Sequence, residues 1–180
     1  MAFHRGIMEL AKLAEEDKKV LPVKMGEMMV ANADNAFELT FGPCSSVVLV
    51  GEDSEGMVWF GINHMLRSRH QNTDIALKEV STLRNDLLAK GIETVSCLGI
   101  FGGGYRDGSV TKAVAQKNIE TILEALSLFY LPIEMFETGY EQKITILYSE
   151  KRSSFLIKRL NTETGETKVS IIPEDKILHR

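Results

Sequence analysis

The stretch SVVLVGEDSEGMVWFGINH, Ser46 to His64, constrains the fold more than any other part of the chain. A fully apolar strand runs into the polar turn EDSEG and out into a second strand, MVWFGINH, rich in aromatic and β-branched residues. Two such runs around a short turn of Asp, Ser and Gly read as an antiparallel hairpin. Its two outer ends must lie close together, so the Ser46 hydroxyl and the His64 imidazole are expected side by side. A hydroxyl or thiol next to an imidazole is the pair that acyl-transfer chemistry needs. The plainer alternative is a histidine that hydrogen-bonds backbone at a strand end.

The rest of the chain surrounds this hairpin with strands and a few helices. Phe3, Ile7, Leu10 and Ala14 fall at helical spacing within residues 3–18, a short amphipathic helix closed by Pro22. VKMGEMMVA and FELTF read as strands separated by NADNA. After the hairpin, RSRHQNTD is polar and loop-like. Asp74 opens a helix with Ala76, Val80, Leu83 and Leu87 on one face, and Gly91 stops it. ETVSCLGIF is a buried strand, followed by GGGYRDGS and a second helix with Ala115, Ile119, Ile122 and Leu126 on one face. LPIEMFE, QKITILY and SSFLIKRL read as further strands, and NTETGET turns the chain into KVSIIP. Roughly eight strands and two main helices, strands first and last with alternation between, specify an α+β domain. The expected architecture is a mixed or antiparallel β-sheet core flanked by helices. The expected layout is an N-terminal helical extension over 1–21, the α+β domain over 22–172 and a loose tail over 173–180.

Composition excludes several classes of function. The chain has 180 residues, 44% of them hydrophobic, and a net charge of −4, so it can build a real core and lacks the basic footprint of a nucleic-acid binder. No apolar run approaches the ~20 residues of a membrane span, so no membrane insertion is expected. The first residues carry acids and lysines where a secretory signal needs an unbroken apolar stretch. Cys44 and Cys97 are too few for a disulfide framework, and a reducing, bacterial-type cytoplasm is the expected location.

Chemistry concentrates at TFGPCSSVVLV, Thr40 to Val50, where a Gly–Pro turn enters the hairpin's first strand. Two nucleophiles compete, Cys44 and Ser46. Residues two apart in an extended chain share a face but sit ~6.6 Å apart. Both therefore cannot meet one imidazole without a reshaped turn. Thr40 ends the preceding strand, where its hydroxyl could orient His64, although a strand threonine usually serves only the strand.

LTFGPCSSVVLVGED, GINHML, LGIFGGG, KNIETILEALSLFYLPI and SSFLIKRL, taken in order, resemble the chemoreceptor glutamine deamidases, CheD, over about residues 22–160. The resemblance implies an α+β fold shared with deamidating toxins and a cysteine hydrolase that converts receptor glutamine side chains to glutamate. It implies two partners, the cytoplasmic helices of chemoreceptors and a CheC-type phosphatase, and no cofactor. It also implies a Cys–His–Thr constellation, with a Thr-x5-Cys turn and a His about seventeen residues beyond the Cys. On this chain Thr40 falls on the threonine, His64 on the histidine one residue late, and Asp53 on the acid that follows the nucleophile strand. Ser46 occupies the cysteine position, and Cys44 falls where a glycine is usual. A thiol ionises near pH ~8.5 and an imidazole activates it easily. A serine hydroxyl needs an aligned base, an orienting acid and an oxyanion hole. The resemblance with Ser46 in place therefore implies a weakened or inactive deamidase, a possible pseudoenzyme, or a binding module on the same fold. Cys44 is the less favoured nucleophile.

Other signals carry less. GIFGGGYRDG lacks dinucleotide and P-loop spacing and reads as a tight turn. SVTK, Ser109 to Lys112, matches S-x-x-K without partner motifs. His64, His70 and Cys44 match no zinc arrangement, so no metal is expected. Met25, Met28 and Met29 read as core filler on a strand. Tyr140 stands where relatives have paired glycines and is expected to narrow a pocket or fill a gap between strands.

Overall fold

The apolar strand of the hairpin is buried on both faces, and this sets the layering of the molecule. Val48 and Val50 point into one core, and Val47 and Leu49 into another. A strand apolar at every position is what a layer covered on both sides demands. The computed structural model describes residues 18–65, 73–104 and 109–178. Among them are strands β1 (Lys19–Pro22), β2 (Met28–Asn32), β3 (Asn35–Phe41), β4 (Ser45–Glu52) and β5 (Val58–Asn63). Helix α1 (Thr73–Leu88), β6 (Ser96–Gly102) and α2 (Ser109–Leu128) follow. The last strands are β7 (Ile133–Thr138), β8 (Gln142–Ser149), β9 (Ser154–Asn161) and β10 (Thr167–Pro173).

The strands make two five-stranded sheets, one in the order β1-β3-β8-β9-β10 and the other β2-β5-β4-β6-β7. Phe37, Leu39 and Phe41 of β3 and Ile144 and Ile146 of β8 meet Val48, Val50, Phe60 and Ile62 across the space between the sheets. Ring contacts Phe37–Phe60, at 5.0 Å between centroids, and Phe60–Phe155, at 5.8 Å, stitch the two layers. Both described helices cover the other face of the second sheet. Val80, Leu83 and Leu87 of α1 and Ile122 and Leu126 of α2 pack there on Val47, Leu49 and Ile100. In both described helices the periodic face seen in the sequence is the one that is buried. Gly91 ends the first of these turns with φ +83°, a conformation glycine adopts without penalty.

The α+β class holds: the β core is two five-stranded sheets, with the described helices packed on the outer face of the second. Three segments differ from expectation. Lys19–Pro22 is a strand, pairing parallel with β3, so regular structure begins before residue 22. The strand expected from Val23 starts only at Met28, because Gly26, at φ +86°, turns the chain first. The segment after Pro173 is not loose as far as it is described. Ile177 is buried, and its carbonyl accepts a 2.9 Å hydrogen bond from the Ser96 hydroxyl. Residues 3–17 of the expected N-terminal helix, and His4, His70 and His179, lie outside the described residues.

Candidate functional site

The hairpin register brings Ser46 and His64 together. Strands β4 and β5 pair antiparallel with Val48 opposite Ile62, and an isolated bridge joins Ser45 to Met65. Ser46 and His64 are bracketed between these pairs and stand opposite each other. Both share the parity of Val48 and Ile62, so both face the space between the sheets. Asp53 locks the hairpin at its far end. Its carboxylate accepts the amides of Glu55, at 3.0 Å, and Met57, at 2.9 Å, and the indole N–H of Trp59 at 2.8 Å. The Trp59 hydrogen bond leads the causes that hold its carboxyl below the usual aspartate value. The acid that anchors the sequence resemblance is thus also what sets the register of the site.

The His64 imidazole is positioned by backbone. Its Nδ1 lies 3.0 Å from the Val23 carbonyl oxygen. A carbonyl can only accept, so Nδ1 carries the proton and Nε2 holds the free lone pair. Nε2 is buried and has no hydrogen-bond partner. Burial pushes the His64 pKa down, outweighing the Val23 carbonyl and the charge of Glu27, so the ring is neutral near pH 7. The His64 amide donates to Glu27 at 2.9 Å, and its carbonyl accepts from Gly26 at 2.6 Å. The ring of Phe41 lies edge-on at 4.9 Å. The arrangement holds a neutral imidazole in one tautomer, with Nδ1 bonded to backbone and Nε2 without a partner.

The nucleophile side is less developed. Ser46 is fully buried, and its Oγ makes a marginal 3.5 Å contact with the Val47 carbonyl. Cys44 lies in the turn before β4, also buried, with its Sγ 3.4 Å from the Met25 Sδ. Thr40 is exposed and faces away from the imidazole, on the opposite side of β3 from Phe41. The Val23 carbonyl occupies the place at Nδ1 that the sequence assigns to the threonine. Alternation within FELTF holds the clue: once Phe41 points inward, Thr40 must point out. A backbone carbonyl such as Val23's leaves no mark in a sequence.

Asn63, beside His64 but facing the helices, braces this end of the hairpin, and the sequence gives little reason to pick it. It is fully buried, and its Oδ1 accepts the Val47 amide at 2.8 Å. A side chain here makes the bond that a backbone ladder would make, next to the Ser46–His64 pair. The glycine turn after β6 closes the same end of the sheet. Gly103 and Gly104 donate to the carbonyls of Cys44, at 2.6 Å, and Gly42, at 2.9 Å. Those amides brace the turn that carries Cys44. Gly102 has φ +94°, and a Cβ there would stand 2.3 Å from the Cys44 carbonyl oxygen.

Tyr140 lines a small pocket with Arg159, Asn161, Glu166 and Lys168. Its hydroxyl donates to Glu137 at 3.2 Å, and Glu137 is ion-paired with the buried Arg159. Phe101 separates this group from Ser46, since it pairs with Ser46 on one side and Glu137 on the other. Met25 and Met28 are 57% and 46% exposed, so they are not core filler; only Met29 packs against the core. Cys97 lies under the helices, its thiol pushed up to about 12 by burial, and is inert as a nucleophile at neutral pH. Among the described residues no three His, Cys, Asp or Glu side chains are placed to hold a metal ion. No described helix is long and apolar enough to cross a membrane.

The fold is α+β: two packed sheets, with a neutral imidazole and a hydroxyl opposed at the open end of a hairpin. The chain is similar to proteins named as probable chemoreceptor glutamine deamidases. It is 26% identical over 149 residues to a protein named "Probable chemoreceptor glutamine deamidase CheD" from Methanococcus maripaludis strain C6, covering 78% of this chain and 95% of that one. It is 27% identical over 150 residues to the protein of the same name from strain S2, covering 77% and 94%. No family profile matches the chain.

Proposed function

We propose that this protein works in chemotaxis in the cytoplasm, engaging the glutamine-bearing helices of chemoreceptors, with its deamidase chemistry weakened or lost at Ser46. The observation that carries the reading is the register-imposed opposition of Ser46 and His64, with the imidazole's Nε2 bare and its Nδ1 held by Val23. A base so placed would deprotonate a thiol at residue 46. Attack of the sulfur on the glutamine carboxamide forms the C–S bond and breaks C–N. Ammonia leaves with the imidazolium proton, and water hydrolyses the thioester to glutamate and free thiol.

A serine at the same place is a poor substitute. Behind the imidazole stands a neutral carbonyl, which fixes the tautomer but cannot offset the charge of an imidazolium as a carboxylate does. A serine triad instead places a buried carboxylate there, which stabilises the imidazolium as it forms. Ser46 is also shut off from solvent. These features favour the non-catalytic form of the same reading, a module that docks on receptors or on a CheC-type phosphatase.

The test is deamidation of receptor cytoplasmic helices, read as glutamate formation by mass spectrometry, with binding measured in parallel. The expected pattern is little or no activity in the wild type, a gain in Ser46→Cys, and loss of that gain when His64→Ala is added. Wild-type activity abolished by Cys44→Ala would assign the nucleophile to Cys44 and overturn the reading. Receptor or phosphatase binding with an inert Ser46→Cys variant would leave the docking role alone.

A further inference from the structure

Where β9 turns into β10, two cations stand side by side that the pair Ser46 and His64 does not use. Arg159 and Lys168 are register partners on these strands, so their side chains share a face. Arg159 has the parity of Phe155 and Ile157, and that face is the one turned toward the second sheet. Like charges directly opposite each other destabilise a sheet unless anions stand with them. Glu137 supplies one, ion-paired with the Arg159 Nη1, and the Arg159 Nη2 donates to the Ser170 hydroxyl at 2.8 Å. The Arg159 Nε is buried and has no hydrogen-bond partner among the described residues. A buried donor on a charged group is costly to leave unmet. Lys168 is held more loosely. Its Nζ lies 3.5 Å from Glu166, with both side chains more than half exposed, and such surface pairs are weak. Asn161 stands on the same face of β9. Its Oδ1 accepts the amides of Glu163, at 2.9 Å, and Thr164, at 3.1 Å, so only its Nδ2 end is left to serve a ligand. With Tyr140 and Glu166 these residues line a cavity of about 160 Å³. That is below the about 300–1,000 Å³ of sites for cofactors and drug-sized molecules, and suits a single head group.

We propose that this pocket binds a carboxylate, with Arg159, Lys168 and Asn161 as its donors. A carboxylate accepts only, at about four lone-pair sites, and so can take all three. Its planar geometry also matches the guanidinium. Charge selects the ligand further. Glu137 stays on Arg159, while Glu166 is free to turn into solvent. The pocket then carries one net positive charge, which a monoanion meets and a phosphate dianion exceeds. A carboxamide fits less well, because with Glu166 turned away its N–H groups lose their acceptor. The pocket lies at the same end of the sheets as Ser46. Ser46, Phe101 and Glu137 are successive register partners across β4, β6 and β7, which sets β7 about 10 Å from β4. Two turns of an α-helix rise about 11 Å. A helix lying across this end with one side chain at Ser46 therefore brings a side chain two turns away to the pocket. An acidic side chain of a protein partner and a free small carboxylic acid present the same group to it.

NMR titration of the full chain at constant ionic strength tests this, with sodium acetate as the probe and acetamide as its neutral isostere. Acetate is expected to shift the Arg159 Nε–H and Asn161 Nδ2 signals saturably, and acetamide is not. In Lys168→Gln, which changes an exposed side chain and leaves Arg159 on Glu137, acetate should bind about threefold more weakly. No saturable shift, an equal response to acetamide, tighter binding of inorganic phosphate than of acetate, or an unchanged affinity in Lys168→Gln would each overturn the proposal. Two helical peptides distinguish the sources, one with Gln and Glu seven residues apart and one with Gln at both places. Tighter binding of the first, lost in Lys168→Gln, assigns the carboxylate to a protein partner. Equal binding of the two, with the acetate response intact, assigns it to a free carboxylic acid. The acetate titration reads no deamidation and no receptor, so its outcome is separate from that of the Ser46→Cys assay.

Discussion

Replacing Asn63 with Ala should cost this protein more than its strand-end position suggests. Asn63 and Val47 are both fully buried, and the Asn63 Oδ1 is 2.8 Å from the Val47 amide. Alanine removes the acceptor and leaves a buried N–H with nothing to bond. An unmet buried donor costs about 1–3 kcal/mol. A central expectation is therefore about 2 kcal/mol, which in a chain of this size lowers Tm by about 4–8 °C. Urea unfolding measures it directly, with m unchanged because the same surface is exposed on unfolding. The Val47 amide should also lose protection against hydrogen exchange, and Ser46 and His64, its neighbours on the two strands, should shift in the NMR spectrum. A loss under about 0.5 kcal/mol, within the range of ordinary surface substitutions, would refute the argument that this side chain substitutes for the ladder.

Two further outcomes follow from the same end of the sheet. Burial holds the His64 pKa below 6.5, so its stabilising contribution is fully present above about that pH and is lost as pH falls through the folded pKa. Unfolding midpoints of the wild type should therefore decline with acid across this window and those of His64→Gln should decline less; a His64 NMR titration at or above 6.5 would contradict this. Gly102→Ala combines φ +94° with a Cβ 2.3 Å from the Cys44 carbonyl oxygen, so it should destabilise by at least about 3 kcal/mol in thermal denaturation, and near-wild-type stability would be the contrary result.

Most of the elements and the opposition of Ser46 and His64 were legible in the residue order. Period-3.6 patterns marked both described helices, because one buried face must repeat at that spacing. The apolar run and the EDSEG turn marked the hairpin, and an antiparallel hairpin leaves no choice about which ends meet. Ser46 opposite His64 is a consequence of local chain geometry, and local geometry is what sequence patterns record. The division of the strands into two sheets was decided only in three dimensions, since it depends on pairings such as β3 with β8 that join distant segments. So were the carbonyl of Val23 at the imidazole and the outward turn of Thr40. Every residue has a carbonyl and every strand has two faces, and only the assembled layers determine which carbonyl is reached and which face is buried.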